Sequence, residues 1–287
     1  MWVIYALLSA FGWATSDAFV KAAYRHCSLN EYFVVWIRYL FALPFVLIPF
    51  LKVPIPHLDK TFFLWHLVWI PLETAALFLY VKAISISDIS MALPFLSLTP
   101  LFLIINGYII IGEKVSLIAG AGILLIVAGS YVMGIRNLRK GILAPLKLTF
   151  KNRGVQLVIL VAFLYSITSI SGKMLVLHSS PVFFSFYYTI VMNLVLLGPG
   201  IIGMKKSQWK NCRLQLVGAG FFYAFMTIFH MTAIRLTLVS YMISVKRLSA
   251  IFSVFYGWML FKEKDILPRM AGSVLMVLGA ILITLGS

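Results

Sequence analysis

Ten apolar runs, each near the length that crosses a bilayer, follow one another along the 287 residues of this chain. A spanning α-helix needs about 20 mostly apolar residues, because the hydrocarbon core supplies no water to backbone polar groups. The runs cover roughly 2–21, 30–51, 62–82, 89–111, 116–134, 155–177, 181–203, 214–234, 239–261 and 266–286. The breaks carry turn or charge signals: Pro54 and Pro56, Glu113-Lys114, Lys205-Lys206 and Lys262-Glu263-Lys264-Asp265. Only 11% of residues are charged, where a soluble domain uses about 25% to cover its surface. The expected fold is therefore all-α and integral to the membrane, with ten transmembrane helices. The first run, Trp2–Val20, is long for a signal peptide and has no basic start, so it reads as a retained span. Cys27 and Cys212 lie far apart near run ends, and neither a disulfide framework nor a metal site is expected of them. A net charge of +16 in a soluble protein would suggest nucleic acid. Here most of the basic residues fall in short connections, where they set orientation, and no nucleic-acid partner is expected.

The halves repeat. At an offset of 152, Phe11, Lys21, His26 and Ser28 fall on Phe163, Lys173, His178 and Ser180. At an offset of 150, Gly107, Glu113, Lys114, Gly122 and Gly129 fall on Gly257, Glu263, Lys264, Gly272 and Gly279. Apolar runs align by chance, so the Glu-Lys pair six residues after a glycine carries more weight. The layout reads as one five-helix repeat over 1–135, a basic connecting loop over 136–153 and a second repeat over 154–287. Five is an odd number, so the second repeat enters from the opposite side. Inverted repeats of this kind suit alternating access around a solute site near the midplane.

The motifs resemble the drug/metabolite transporter superfamily in its ten-helix EamA-type form. They are Gly12-Trp13 with Lys21 in the first helix, Ile111-Gly112-Glu113-Lys114 closing the fourth, and Phe261-Lys262-Glu263-Lys264 closing the ninth. The second glutamate motif has Lys262 where the first has its glycine. The resemblance implies secondary transport, with substrates that in this superfamily range from amino acids to phosphorylated metabolites. It also implies a prokaryotic inner (plasma) membrane.

Charges inside apolar runs are costly and mark functional candidates. Glu73, Arg38, Asp17 and the pair Lys246-Arg247 are such charges, and their repeat counterparts are Tyr223, Ile190, Ser169 and Leu96-Ser97. Shared positions suit the scaffold; unshared charges suit the solute site. A Lys-Arg pair suits an oxyanion, since Arg offers a planar fork of donors and Lys a point charge. The pair also resembles the phosphate-gripping residues of plastid triose-phosphate translocators, distant members of the superfamily. Glu73 is its internal counterion or a carrier of a coupling proton. Asp17 and Lys21 share a helix face and can pair, and Arg38 can pair with Asp17 or Glu31. Tyr223 and Tyr241 are the best cavity aromatics, ahead of Trp13, Tyr39, Tyr80, Tyr165 and Tyr187. Pro94 and Pro100 predict a bend in the fourth helix. Their counterparts are Ser244 and Ala250, so the bend is expected in one half only. The runs Ala119-Gly120-Ala121-Gly122 and Gly218-Ala219-Gly220 predict close helix packing.

The expected function is secondary transport of a small polar metabolite, an organic anion or zwitterion. The expected partners are that solute, the lipid bilayer and a coupling proton, with the chain a monomer or homodimer. A flippase or exporter of a phosphate-linked lipid is the related alternative; a non-transporting membrane scaffold or a membrane enzyme is the alternative of a different class. No nucleophile motif, metal-spaced cluster or nucleotide-binding loop occurs, so neither an enzyme nor a cofactor is expected. Sixteen of the 24 Lys and Arg residues fall in connections after odd-numbered helices and five in the others. The positive-inside rule then places both termini outside the cytoplasm, whereas ten-helix relatives keep them inside.

Overall fold

The computed structural model describes residues 1–86, 93–134, 152–262 and 266–287, and no strand occurs among them. Glu263, Lys264 and nearly all of the basic connection lie outside the described residues. The elements run α1 (Trp2–His26), α2 (Glu31–Phe50), α3 (Lys60–Ile86), a 3₁₀ segment η1 (Leu93–Leu98), α4 (Thr99–Ile111) and α5 (Leu117–Gly134). They continue with α6 (Arg153–Leu177), α7 (Pro181–Lys205), a 3₁₀ turn η2 (Lys210–Cys212), α8 (Arg213–Leu236), α9 (Val239–Lys246), α10 (Ser249–Phe261) and α11 (Ile266–Leu285). Local chemistry sets the starts. The Asn30 side chain accepts the N–H groups of Tyr32 and Phe33 to open α2, and Ser180 with Pro181 opens α7, as N-cap and first-turn preferences require. Among the described residues, six helical segments are individually long and apolar enough to cross a membrane: Trp2–His26, Glu31–Phe50, Lys60–Ala83, Arg153–Leu177, Pro181–Lys205 and Lys210–Leu236.

The described chain forms two compact units, each drawing on both sequence halves. The first comprises Met1–Phe62 and Leu175–Leu236; the second comprises Phe63–Met174 and Thr237–Ser287. In the first, α1 packs along α8 and α2 along α7. Gly218 lies against the Phe19 ring and Gly220 against Phe41, and the Ser16 hydroxyl donates to the Ala219 carbonyl at 2.8 Å. Phe50, at the end of α2, stacks on Phe186 near the start of α7, with centroids 4.2 Å apart. Asn30, at the other end of α2, lies against Gly203 near the end of α7. The two helices therefore run antiparallel. Cys27 and Cys212 are joined in a disulfide, which corrects the expectation that they would not pair. The packing of α1 on α8 carries the C-terminal end of one to the start of the other, across a sequence separation of 185. Spacing along the chain does not reveal that meeting.

In the second unit α5 packs along α11. A Cβ on Gly122 would sit 2.5 Å from the Gly279 carbonyl oxygen, and one on Gly129 would sit 2.6 Å from that of Gly272. Such closeness of backbones is possible only without side chains. Ser116, before α5, donates to the Gly286 carbonyl at 2.7 Å, so these helices also run antiparallel.

Both halves break a helix at the same register position, which corrects the one-sided bend. η1 gives way to α4 at Leu98–Thr99, and α9 to α10 at Arg247–Ser249. Prolines explain the first break. Pro100 has no N–H to give to the Leu96 carbonyl four residues back, and the Thr99 hydroxyl takes that carbonyl instead, at 2.7 Å. The second break has no proline. There the backbone switches to three-residue spacing: Arg247 N–H to Ser244, Leu248 to Val245, Ala250 to Arg247 and Ile251 to Leu248. That is 3₁₀ bonding, which often marks hinges in helices.

Candidate functional site

The break between α9 and α10 carries Lys246 in the last turn and Arg247 as the capping residue. Cations are favoured there because helix carbonyls point their negative ends that way. The Arg247 guanidinium donates one hydrogen bond to the Thr99 hydroxyl at 3.1 Å. Since that hydroxyl itself donates to Leu96, a chain of bonds joins the two breaks. The Arg247 Nε is buried and has no hydrogen-bond partner among the described residues. No carboxylate among the described residues forms an ion pair with Arg247. This cation keeps one buried donor, Nε, that no described residue fills. Lys246 and Glu73 are half-buried in the same unit.

The sequence candidate Tyr241 is buried, and its hydroxyl accepts the Ser116 N–H at 3.1 Å. It thereby ties α9 to the start of α5. Glu113, read from sequence as a helix-end residue, is nearly buried. It forms an ion pair with Lys173 of α6, and its other oxygen accepts the Val239 N–H at 2.9 Å.

The first unit holds a separate cluster. Arg38 pairs with Asp17 at 2.9 Å, settling which of its two candidate carboxylates it takes. Its guanidinium lies over the Tyr223 ring, 5.6 Å from the centroid, within cation–π range. Tyr223 is buried against Tyr39 and Trp13, and the Tyr39 and Tyr188 hydroxyls lie 3.0 Å apart. Lys21 is exposed one turn beyond Asp17.

Sequence reasoning missed Thr99, Tyr188 and the Glu113–Lys173 pair. The available signal for Thr99 was Pro100, which frees a carbonyl that an adjacent hydroxyl can take. For Glu113 it was the shared glycine six residues earlier: the Glu113 N–H returns to the Gly107 carbonyl at 3.0 Å.

The sequence matches the EamA-like transporter family over residues 1–135 and 152–285, nearly the whole chain. The chain belongs to that family. As an EamA-like protein it is an integral, multi-pass membrane transporter of the drug/metabolite superfamily. One solved structure, described only as the crystal structure of a protein, superposes with a TM-score of 0.72. It matches 99% of this chain and 96% of its own at 14% identity, a likeness of fold. No curated protein matches.

Proposed function

We propose that this EamA-like protein carries a small organic anion or zwitterion by alternating access between two inverted five-helix repeats that together make ten spans. Support for the inversion comes from repeat mates that pack on one another antiparallel. Gly122 and Gly129 of α5 meet Gly279 and Gly272 of α11, and these are the residues that the sequence repeat equates crosswise. α2 and α7 are mates too, and also antiparallel. Broken helices with free polar groups at the break are the usual solute sites of such carriers.

The observation that carries the substrate class is Arg247, a half-buried cation at a helix break whose buried Nε has no hydrogen-bond partner among the described residues. An oxyanion is the ligand that fills such donors best. Thr99 orients the guanidinium and Lys246 adds a second positive charge. The test is binding and uptake of candidate anions in proteoliposomes. Arg247→Ala and Lys246→Ala are expected to abolish both while expression stays near normal. Arg247→Lys keeps the charge but loses the fork, and is expected to lower affinity about tenfold, or ~1.4 kcal/mol. Wild-type affinity in Arg247→Ala overturns the reading. Glu73 is assigned the coupling proton. Glu73→Gln is then expected to flatten the pH profile of net transport while leaving solute exchange; an unchanged profile removes that role.

A further inference from the structure

Glu113 grips α9 at the end opposite Arg247. α9 has eight residues, so its two ends lie about 12 Å apart. It is also too short to hold its place by its own hydrogen bonds. Its N-cap, Leu238, makes no side-chain cap bond, which leaves the first N–H groups in need of partners. Glu113 supplies one from a distant element: a carboxylate oxygen accepts the Val239 N–H at 2.9 Å. A negative group there also suits the helix dipole. The other oxygen pairs with Lys173, whose ammonium donates to the Thr237 carbonyl at 2.8 Å. The ion pair therefore holds the chain on both sides of Leu238. Its side chains are only 8% and 13% exposed, so water competes weakly for these bonds. The same connection that delivers Glu113 holds α9 a second time, through Ser116 and the Tyr241 hydroxyl.

We propose that Glu113 is a positioning residue for the Lys246–Arg247 anion site, setting the place of α9 and so the place of the guanidinium at its far end. This rests on the anion-site reading of Arg247. A displacement on the order of 1 Å at a binding group costs as much as a hundredfold, so the cap bears on affinity although it touches no solute.

The test uses purified full-length protein, inorganic phosphate as probe, isothermal titration for affinity and a phosphate-free melt for folding. Val239→Pro is the sharpest variant. It deletes the N–H that Glu113 accepts and leaves the Glu113–Lys173 charges alone. Proline is favoured at the first helical position, and Leu238 already has the ψ of 143° that a residue before proline needs. The expected result is about tenfold weaker phosphate binding in a protein that still folds, its unliganded melting temperature lowered by a few degrees. Wild-type affinity in Val239→Pro overturns the proposal. A double variant, Glu113→Gln with Lys173→Gln, keeps an acceptor for Val239 but removes both charges, and is expected to bind phosphate within about threefold of wild type. Glu113→Leu with Lys173→Met removes the acceptor and is expected to lose binding. Should Val239→Pro fail to fold, that comparison decides: equal losses in the two doubles overturn the proposal. Arg247→Ala separates the two readings. If it binds phosphate like wild type, the anion site itself falls and this inference with it. If it loses binding while Val239→Pro keeps it, only the positioning role falls.

Discussion

Two left-handed residues close α4 and α10, and only one is a glycine. Gly112 has φ +70° and Lys262 has φ +52°. A side chain in that region costs on the order of 1 kcal/mol. A Cβ on Gly112 meets nothing within 4 Å, so Gly112→Ala is expected to lose about 1 kcal/mol from backbone conformation alone. Lys262→Gly is expected to gain a similar amount, and thermal denaturation in detergent reads both. The Lys262 anomaly was visible in the sequence as a departure between matched motifs. Lys246 and Arg247 were visible as cations in an apolar run. Thr99 was not, because its role comes from a proline beside it and an arginine 148 residues away. Asp17 and Arg38 were visible as charges, but their mutual choice needed the packing of both α1 and α2 on α8. Arg38 is 15% exposed and Asp17 42%, so a double-mutant cycle with Asp17→Asn and Arg38→Gln is expected to give a coupling of about 1 kcal/mol. A coupling near zero means that the pair is incidental.

At the level of elements, small-residue runs were legible as packing stripes but not residue by residue. In α5, a Cβ on Gly122 would sit 2.5 Å from the α11 backbone, while one on Gly120 would find its nearest neighbour at 3.9 Å. Gly122→Ala is therefore expected to cost roughly 1–3 kcal/mol through forced separation. Gly120→Ala is expected to be neutral or to gain up to about 1 kcal/mol from helix propensity. Equal effects in a thermal melt refute the face assignment. Helix ends were legible within a few residues, because apolar runs stop where polar groups reach water. The break after Arg247 was not: no proline marks it, and the 3₁₀ bonding at 247–251 exists only in the folded chain. Propensity places breaks where the chain lacks a donor; here the second break repeats the first without that cause.

For the whole molecule, charge and sulfur disagree about orientation. The basic connections place the C-terminal end of α1 in the cytoplasm, yet that end carries the Cys27–Cys212 disulfide, and disulfides persist in oxidising compartments. A covalent bond depends on its compartment directly, whereas charge bias acts statistically during insertion, so the disulfide sets the expectation. In the ten-span reading the termini then face the cytoplasm and the basic connection faces out. On a Cys27→Ser/Cys212→Ser background, Pro145→Cys is expected to react with impermeant maleimide added outside cells and Ser287→Cys to be protected. The reverse pattern restores the charge assignment.

The disulfide also dates the molecule's own construction. Cys27 leaves the ribosome 185 residues ahead of its partner, an interval of roughly 10–40 s at ordinary synthesis rates. Until then it persists as a lone thiol beside an unfinished protein. With two cysteines in the whole chain, no wrong intramolecular pairing exists to be undone. Closure therefore waits on one event, the arrival of α8 alongside α1. A pulse-chase gel run without reductant turns that closure into a clock for assembly in the living cell.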